Sequence, residues 1–274
     1  MNHFTKKSLF AFLGIFLITF FSCSEDNSEE LNESDNNEIN YKFPKTITYP
    51  DFWSGGTRRQ DFAYSNGLLI KERDGGEMNY FEHNNDGKIV LRKECADQGI
   101  ADENIDTYEC QGFYDSTSGV YNYENGQLVS ISDSSGNILG NYNYDSIGNL
   151  ISDVGTSQYS ENIYYTYDNN GNILTKTLSY QGSSSVITFE YDGKKNPYYG
   201  LYRTFGFEGS ISSGPYDLVS SLFKQNATKV YRNNELKKEA NYTYDVDGYP
   251  ISCGFTEYLN DGTTRQGTIQ FTYN

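Results

Sequence analysis

Apolar and polar residues alternate with a period of two along much of this chain. In Val186-Ile187-Thr188-Phe189-Glu190-Tyr191 one face reads Ile, Phe, Tyr and the other Val, Thr, Glu. In Thr268-Ile269-Gln270-Phe271-Thr272-Tyr273 the faces are Ile, Phe, Tyr and Thr, Gln, Thr. Successive strand side chains point to opposite sides of a sheet, so each segment predicts a strand with one buried and one wetted face. No long stretch carries helical periodicity. Gly75-Gly76, Asp86-Gly87, Ser135-Gly136, Asn233-Asn234 and Asp261-Gly262 supply turn signals between the strands.

One phrase recurs at the strand ends. It reads Tyr142-Asn143-Tyr144-Asp145-Ser146-Ile147-Gly148-Asn149, then Tyr165-Thr166-Tyr167-Asp168-Asn169-Asn170-Gly171-Asn172, and more loosely Tyr242-Thr243-Tyr244-Asp245-Val246-Asp247-Gly248-Tyr249. The two Tyr share one strand face, the Asp can accept from turn amides, and the Gly supplies a positive φ. Two aliphatic residues follow each of the first two copies, so one copy predicts strand, tight turn and returning strand. Degenerate copies stand at Tyr121 to Leu128, Phe189 to Gly193 and Phe62 to Leu69. A fixed phrase at near-constant spacing means one unit repeated along the chain.

The pattern predicts an all-β fold. It is a single antiparallel meander of hairpins forming a barrel or strongly curved sheet, of about 14–18 strands given a turn every ~8–12 residues. With the aromatic faces inward, the outer face is polar, whereas a barrel lying in lipid needs an apolar band ~25 Å tall. One segment breaks the rhythm. Pro215 followed by Leu218, Val219, Leu222 and Phe223 predicts a short helical insert near residues 215–224. Such an insert could plug an end of the barrel or wall a pocket.

The first forty residues read as an address. Lys6 and Lys7 precede an apolar run over residues 9–21, followed by Ser22-Cys23. That run is too short to span a bilayer, which needs ~20 residues, and fits a secretory leader. Residues 1–22 are expected to be removed. Cys23 straight after the cut resembles the lipobox of bacterial lipoproteins, with Phe20 in place of the usual Leu; an ordinary leader with an incidental Cys is the alternative. Residues 23–40 then form a lipidated, acidic and unstructured tether, with Glu25-Asp26 resembling the export tag of surface-exposed lipoproteins in Bacteroidota. Residues 41–274 are the folded domain.

Charge narrows the partners. Loss of Lys6 and Lys7 leaves 19 basic against 37 acidic residues, net −18. Such a surface repels phosphate backbones, so nucleic acid is not expected. In an oxidising compartment Cys95 and Cys110 are the expected disulfide and Cys253 a buried thiol. No cofactor and no metal site is expected. His83 reads as part of a surface loop, and Asp245-Val246-Asp247-Gly248 lacks the later ligands of a calcium loop. Neither a nucleophile elbow nor a phosphate loop is present. A carboxylate pair for glycoside hydrolysis is a spatial property that sequence does not reveal. Most of the 26 Tyr are expected to form cross-strand ladders, and Trp53, in a predicted loop, is the candidate ligand contact.

The recurring Tyr-x-Tyr-Asp-x-x-Gly-Asn phrase resembles the YD repeat of the rearrangement-hot-spot (RHS) proteins and teneurins, which wind many copies into a β-shell; this chain is too short for a cage and has no toxin or self-cleavage part. Asp192-Gly193-Lys194-Lys195-Asn196-Pro197 is similar to a phrase of small Bacteroidota lipoproteins with a porin-like domain. That resemblance covers residues 41–274, implies a β-barrel and carries no activity. The expectation is a lipid-anchored outer-membrane lipoprotein, at the cell surface or on the periplasmic face. It would act as a non-catalytic binding module, with glycan the favoured ligand. The alternatives are an adhesive protein binding another envelope protein, or a carboxylate-based glycoside hydrolase.

Overall fold

The computed structural model describes residues 41–96, 105–110, 112–157, 160–207 and 217–274, so Cys23, the leader and the tether lie outside the described residues. In chain order the strands are β1 (Pro44–Asp51), β2 (Gly56–Ser65), β3 (Leu68–Asp74), β4 (Glu77–His83), β5 (Ile89–Ala96), β6 (Tyr114–Glu124), β7 (Gln127–Ser132) and β8 (Ile138–Tyr144). They continue as β9 (Leu150–Gly155), β10 (Asn162–Tyr167), β11 (Ile173–Tyr180), β12 (Ser183–Lys195), β13 (Gln225–Arg232), β14 (Glu235–Tyr244), β15 (Pro250–Tyr258) and β16 (Thr264–Tyr273). Each pairs antiparallel with its sequence neighbours. β1 pairs with β16, Ile47 opposite Phe271, and closes the sheet into a sixteen-stranded barrel.

The recurring phrase is the hinge of its hairpins. Asp145 Oδ1 accepts from the amides of Ile147 at 3.0 Å and Asn149 at 2.9 Å, and Asn149 Nδ2 donates to Asp145 Oδ2 at 3.0 Å. Asp168 does the same with Asn170 and Asn172, and Asp245 with Asp247 and Tyr249. Gly148 takes φ 92°, which only Gly adopts without strain. Asp133-Ser134-Ser135-Gly136-Asn137 builds the same turn at the opposite end of the barrel, with Asp133 accepting from Ser135 and Asn137. Replacing Asp145 by Ala should lower stability by about 1–2 kcal/mol through loss of these bonds. A denaturation midpoint indistinguishable from wild type would show that Gly148 alone holds the turn.

The second Tyr of each phrase turns inward. The hydroxyls of Tyr64, Tyr167 and Tyr191, and likewise of Tyr273 at the end of β16, donate to the carbonyls of Pro44, Leu150, Ile173 and Pro250 at 2.6–2.9 Å. Each ring thus fills the barrel while its polar tip ties down the start of a nearby strand. Outside, short polar side chains pair across strands. These include Thr166 with Thr175 at 2.7 Å, Thr243 with Ser252 at 2.8 Å and Asn143 with Ser152 at 2.9 Å. The same surface also carries exposed apolar side chains, among them Ile138, Leu139, Ile151, Tyr164, Leu174, Val186 and Ile251.

The lumen is filled by the chain itself. Between β12 and β13 lies α1 (Pro197–Phe205), capped by Asn196, whose side chain accepts from the Tyr198 amide, and ended by Gly206 at φ 75°. Tyr198 packs edge-on against Phe62 of β2, and Phe205 lies 5.1 Å from Phe43. Phe207 meets Phe62 and Phe81, while Phe223 meets Phe189 and Tyr191 on β12. One core joins these residues to inward side chains from strands around the whole barrel, so α1, Phe207 and Phe223 lie inside it. The helix therefore stands at Pro197–Phe205, and the described part of the stretch expected to be helical, residues 217–224, is not helical. Residues 217–223 form turns whose buried Leu218, Val219 and Phe223 imitate helical spacing, and residues 208–216 lie outside the described residues.

Along Gln60 to Ala63 of β2 and Lys71 to Asp74 of β3 both faces are buried. The inner face belongs to the lumen; the outer face carries a second core of Ala63, Met78, Cys95 and Ile105. Cys95 and Cys110 are joined by a disulfide with Cα atoms 6.5 Å apart, which straps residues 105–110 onto the wall. Beneath it the Lys71 ammonium donates to the Tyr108 carbonyl at 2.7 Å. Asp61 accepts from Thr46 at 2.8 Å, Arg59 at 2.6 Å and Arg73.

Candidate functional site

A cavity of about 350 Å³ opens inside the barrel where β2 to β6 face the plug segment. Its polar wall is made by alternate residues of adjacent strands: Gln60 on β2, Glu72 and Asp74 on β3, Glu77 and Asn79 on β4, and Arg92 on β5. Tyr121 of β6 and the apolar Phe81, Ile89 and Phe207 complete it, with Ser220 to Leu222 opposite. The ladder sets this arrangement: Gln60 lies opposite Asp74, Glu72 opposite Asn79, and Phe81 opposite Arg92.

Glu72 is the centre of the wall. Gln60 Nε2 donates to its Oε1 at 2.7 Å and Asn79 Nδ2 to its Oε2 at 2.6 Å. Burial pushes its carboxyl up to about 7, against the pull of those two amides and of Arg92, and Asp74 adds to the rise. Gln60 is itself held from behind by the Tyr198 hydroxyl of α1. Asp74 accepts from the Tyr49 hydroxyl at 2.6 Å and lies 3.5 Å from Arg58 Nε. Asn79 Oδ1 is buried and has no hydrogen-bond partner among the described residues. The cavity thus combines fixed amide and carboxylate groups, one acceptor still open, and aromatic and aliphatic surface. That suits a small ligand with hydroxyls on its edge and an apolar face.

The residues singled out in the sequence fall elsewhere. Trp53 sits on the β1–β2 turn, 90% exposed, at the barrel end that also carries the β3–β4 turn next to Asp74 and Glu77. It does not line the cavity. Tyr142, Tyr144, Tyr165 and Tyr242 belong to the inner core and the repeat Asp, Gly and Asn residues to turns. The Asp245 carboxylate is engaged by turn amides and by Lys42 at 2.7 Å. No cluster of three or more His, Cys, Asp or Glu side chains suited to a metal occurs among the described residues. His83, expected in a surface loop, is the last residue of β4, half-buried against Phe205. Burial lowers its pKa. Cys253 is buried and its thiol is pushed up to about 12 by that burial.

No protein-family profile and no curated protein matches the sequence. Solved structures do. A porin-like protein from Bacteroides uniformis superposes over 84% of this chain and 98% of its own, with 12% identity and a TM-score of 0.51. A porin-like protein from Bacteroides vulgatus covers 85% of this chain and 99% of its own at 14% identity, with a TM-score of 0.38. A TcdB2-TccC3-TEV structure matches 77% of this chain with only 14% of its own, at 14% identity and a TM-score of 0.24. At these identities the first match speaks for the barrel fold alone.

Proposed function

We propose that this chain is a water-facing barrel of the bacterial envelope that binds a carbohydrate inside its lumen. The observation that carries the reading is the luminal wall of Gln60, Glu72 and Asn79, with an open acceptor and Tyr121 beside it. Sugar rings present hydroxyl edges to such groups and an apolar face to an aromatic. The polar Thr, Ser and Asn pairs on the outer wall argue against a lipid-embedded barrel. Attachment to the outer membrane through lipid on Cys23, by way of residues 23–40, follows from the leader and accounts for the address without a spanning wall. Pairing of β1 with β16 removes the open strand edge that an adhesive, strand-adding protein would use.

A second reading has one observation in its favour. Glu72 and Asp74 project two residues apart into the same cavity, and Glu72, pushed up to about 7, could hold a proton near neutral pH. A protonated acid beside a second carboxylate is the pair of groups that glycoside hydrolysis uses.

The test is a panel of oligosaccharides and soluble polysaccharides against the purified protein, with Tyr121→Ala, Glu72→Gln and Trp53→Ala beside wild type. Binding should weaken about tenfold or more in the first two variants and stay unchanged in the third. Absence of binding across the panel, or loss confined to Trp53→Ala, would overturn the luminal site. Release of reducing ends by wild type but not by Glu72→Gln would favour hydrolysis.

A further inference from the structure

Glu72 lies opposite Asn79 and Asp74 opposite Glu77 in the β3–β4 ladder, so four side chains form the corners of one patch of the luminal wall. The amide donors there already point at Glu72: Gln60 Nε2 and Asn79 Nδ2 both donate to it, and the Tyr49 hydroxyl donates to Asp74. What remains open accepts. Among the described residues Asn79 Oδ1 is buried without a partner, and no hydrogen bond or ion pair engages the Glu77 carboxylate. The charges lean the same way. Glu72 and Asp74 on β3, Glu77 on β4, and Glu94 opposite Asn79 on β5 stand against Arg92 on β5 and Arg58 on β2, the latter 3.5 Å from Asp74. Tyr49 of β1 and Tyr198 of α1 pack behind the patch as hydroxyl donors. Burial keeps the Glu72 carboxyl up at about 7 although the two amides and Arg92 act against it.

We propose that the saccharide taken by the lumen is an amino sugar, its ammonium held by Asn79 Oδ1 and the carboxylates of Glu72 and Glu77. The inference rests on the luminal carbohydrate reading and narrows its ligand class. An ammonium donates three hydrogen bonds and accepts none, which matches a patch whose open groups accept. Its bonds to carboxylates are charge-assisted, and partial burial strengthens them. Tyr121 and Phe81 offer apolar surface to the ring of the same sugar. The protons balance as follows. Below about pH 7 Glu72 holds a proton in the free protein; a cation beside it favours the carboxylate, so that proton leaves to solvent as the amine docks. An N-acetyl group removes the charge and turns a carbonyl toward the acids, which selects against it.

The experiment is calorimetric titration of the full protein, at about pH 6 where both the amine and Glu72 carry a proton, with three oligosaccharides of equal length and linkage. They are built of glucosamine, N-acetylglucosamine or glucose. The glucosamine oligomer should bind wild type about tenfold or more tighter than the other two. That preference should shrink in Glu77→Gln and with added salt. Glu77 is exposed at the start of β4, so this variant tests charge without disturbing the core. Titrations in two buffers of different ionisation enthalpy should show proton release on binding by wild type and none by Glu72→Gln. Equal or tighter binding of the glucose or N-acetylglucosamine oligomer would overturn the amino-sugar assignment and leave the luminal reading standing. An amine preference undiminished in both variants would also overturn it, since the charge would then be read elsewhere. Absence of binding by all three would overturn it as well, and the wider oligosaccharide panel would then decide the luminal reading by itself.

Discussion

Glu72→Gln should make the protein more stable above pH 7, by up to roughly 3 kcal/mol. The sign follows from burial. The Glu72 carboxyl is raised from an ordinary 4.5 to about 7, so between those values the folded state holds a proton that the unfolded state has released. Stability from this group is full below about pH 4.5, falls as pH rises, and is lost above about 7. The Gln variant stays neutral throughout and escapes that loss. One rearrangement assists it: Asn79 has an unpartnered Oδ1, so its amide can flip to accept from the new side-chain NH₂. Urea titrations at pH 4.5 and pH 8 measure the difference. The two proteins should be nearly equal in acid and diverge in base. A constant difference would mean that Glu72 is not the buried acid described. A residue whose removal stabilises the fold is one the fold retains at a cost, as binding and catalytic groups are.

Tyr198→Ala should cost about 3–5 kcal/mol, the largest loss expected of a single truncation in the lumen. Tyr198 is fully buried, its ring packs edge-on against Phe62, and its hydroxyl bonds Gln60. Truncation opens a cavity between α1 and β2 and frees Gln60 to rotate, so the cavity wall should loosen as well. Tyr198→Phe keeps the ring and loses one hydrogen bond, which should cost about 1 kcal/mol. Denaturant midpoints of the two variants separate packing from polarity. An Ala variant within about 1 kcal/mol of wild type would mean that the helix does not pack inside the barrel.

What was legible in the sequence was local. The Asp of each Tyr-x-Tyr-Asp-x-x-Gly-Asn phrase bonds amides two and four residues ahead, so hairpins and inward Tyr could be read directly. Closure could not, because Ile47 and Phe271 meet from opposite ends of the domain. The helix was misplaced for a physical reason. Leu218 and Leu222 imitate helical spacing, whereas α1 is announced by its caps, Asn196-Pro197 and Gly206, rather than by an apolar stripe. The luminal carboxylates carried no signal at all. Leu68 to Asp74 mixes apolar and charged residues because the disulfide strap buries the outer face too. A register shift at the β2–β3 hairpin, between Ala63 and Tyr64, also breaks the parity that would have carried the inward Tyr64 on to Glu72.

If the lumen is the ligand site, crystals of the protein soaked with the tightest binder of the panel locate the bound saccharide there. Density is expected against Gln60, Glu72, Asn79 and Tyr121, inside the barrel. Density at Trp53 on the rim or on the outer wall, with the cavity empty, would contradict it.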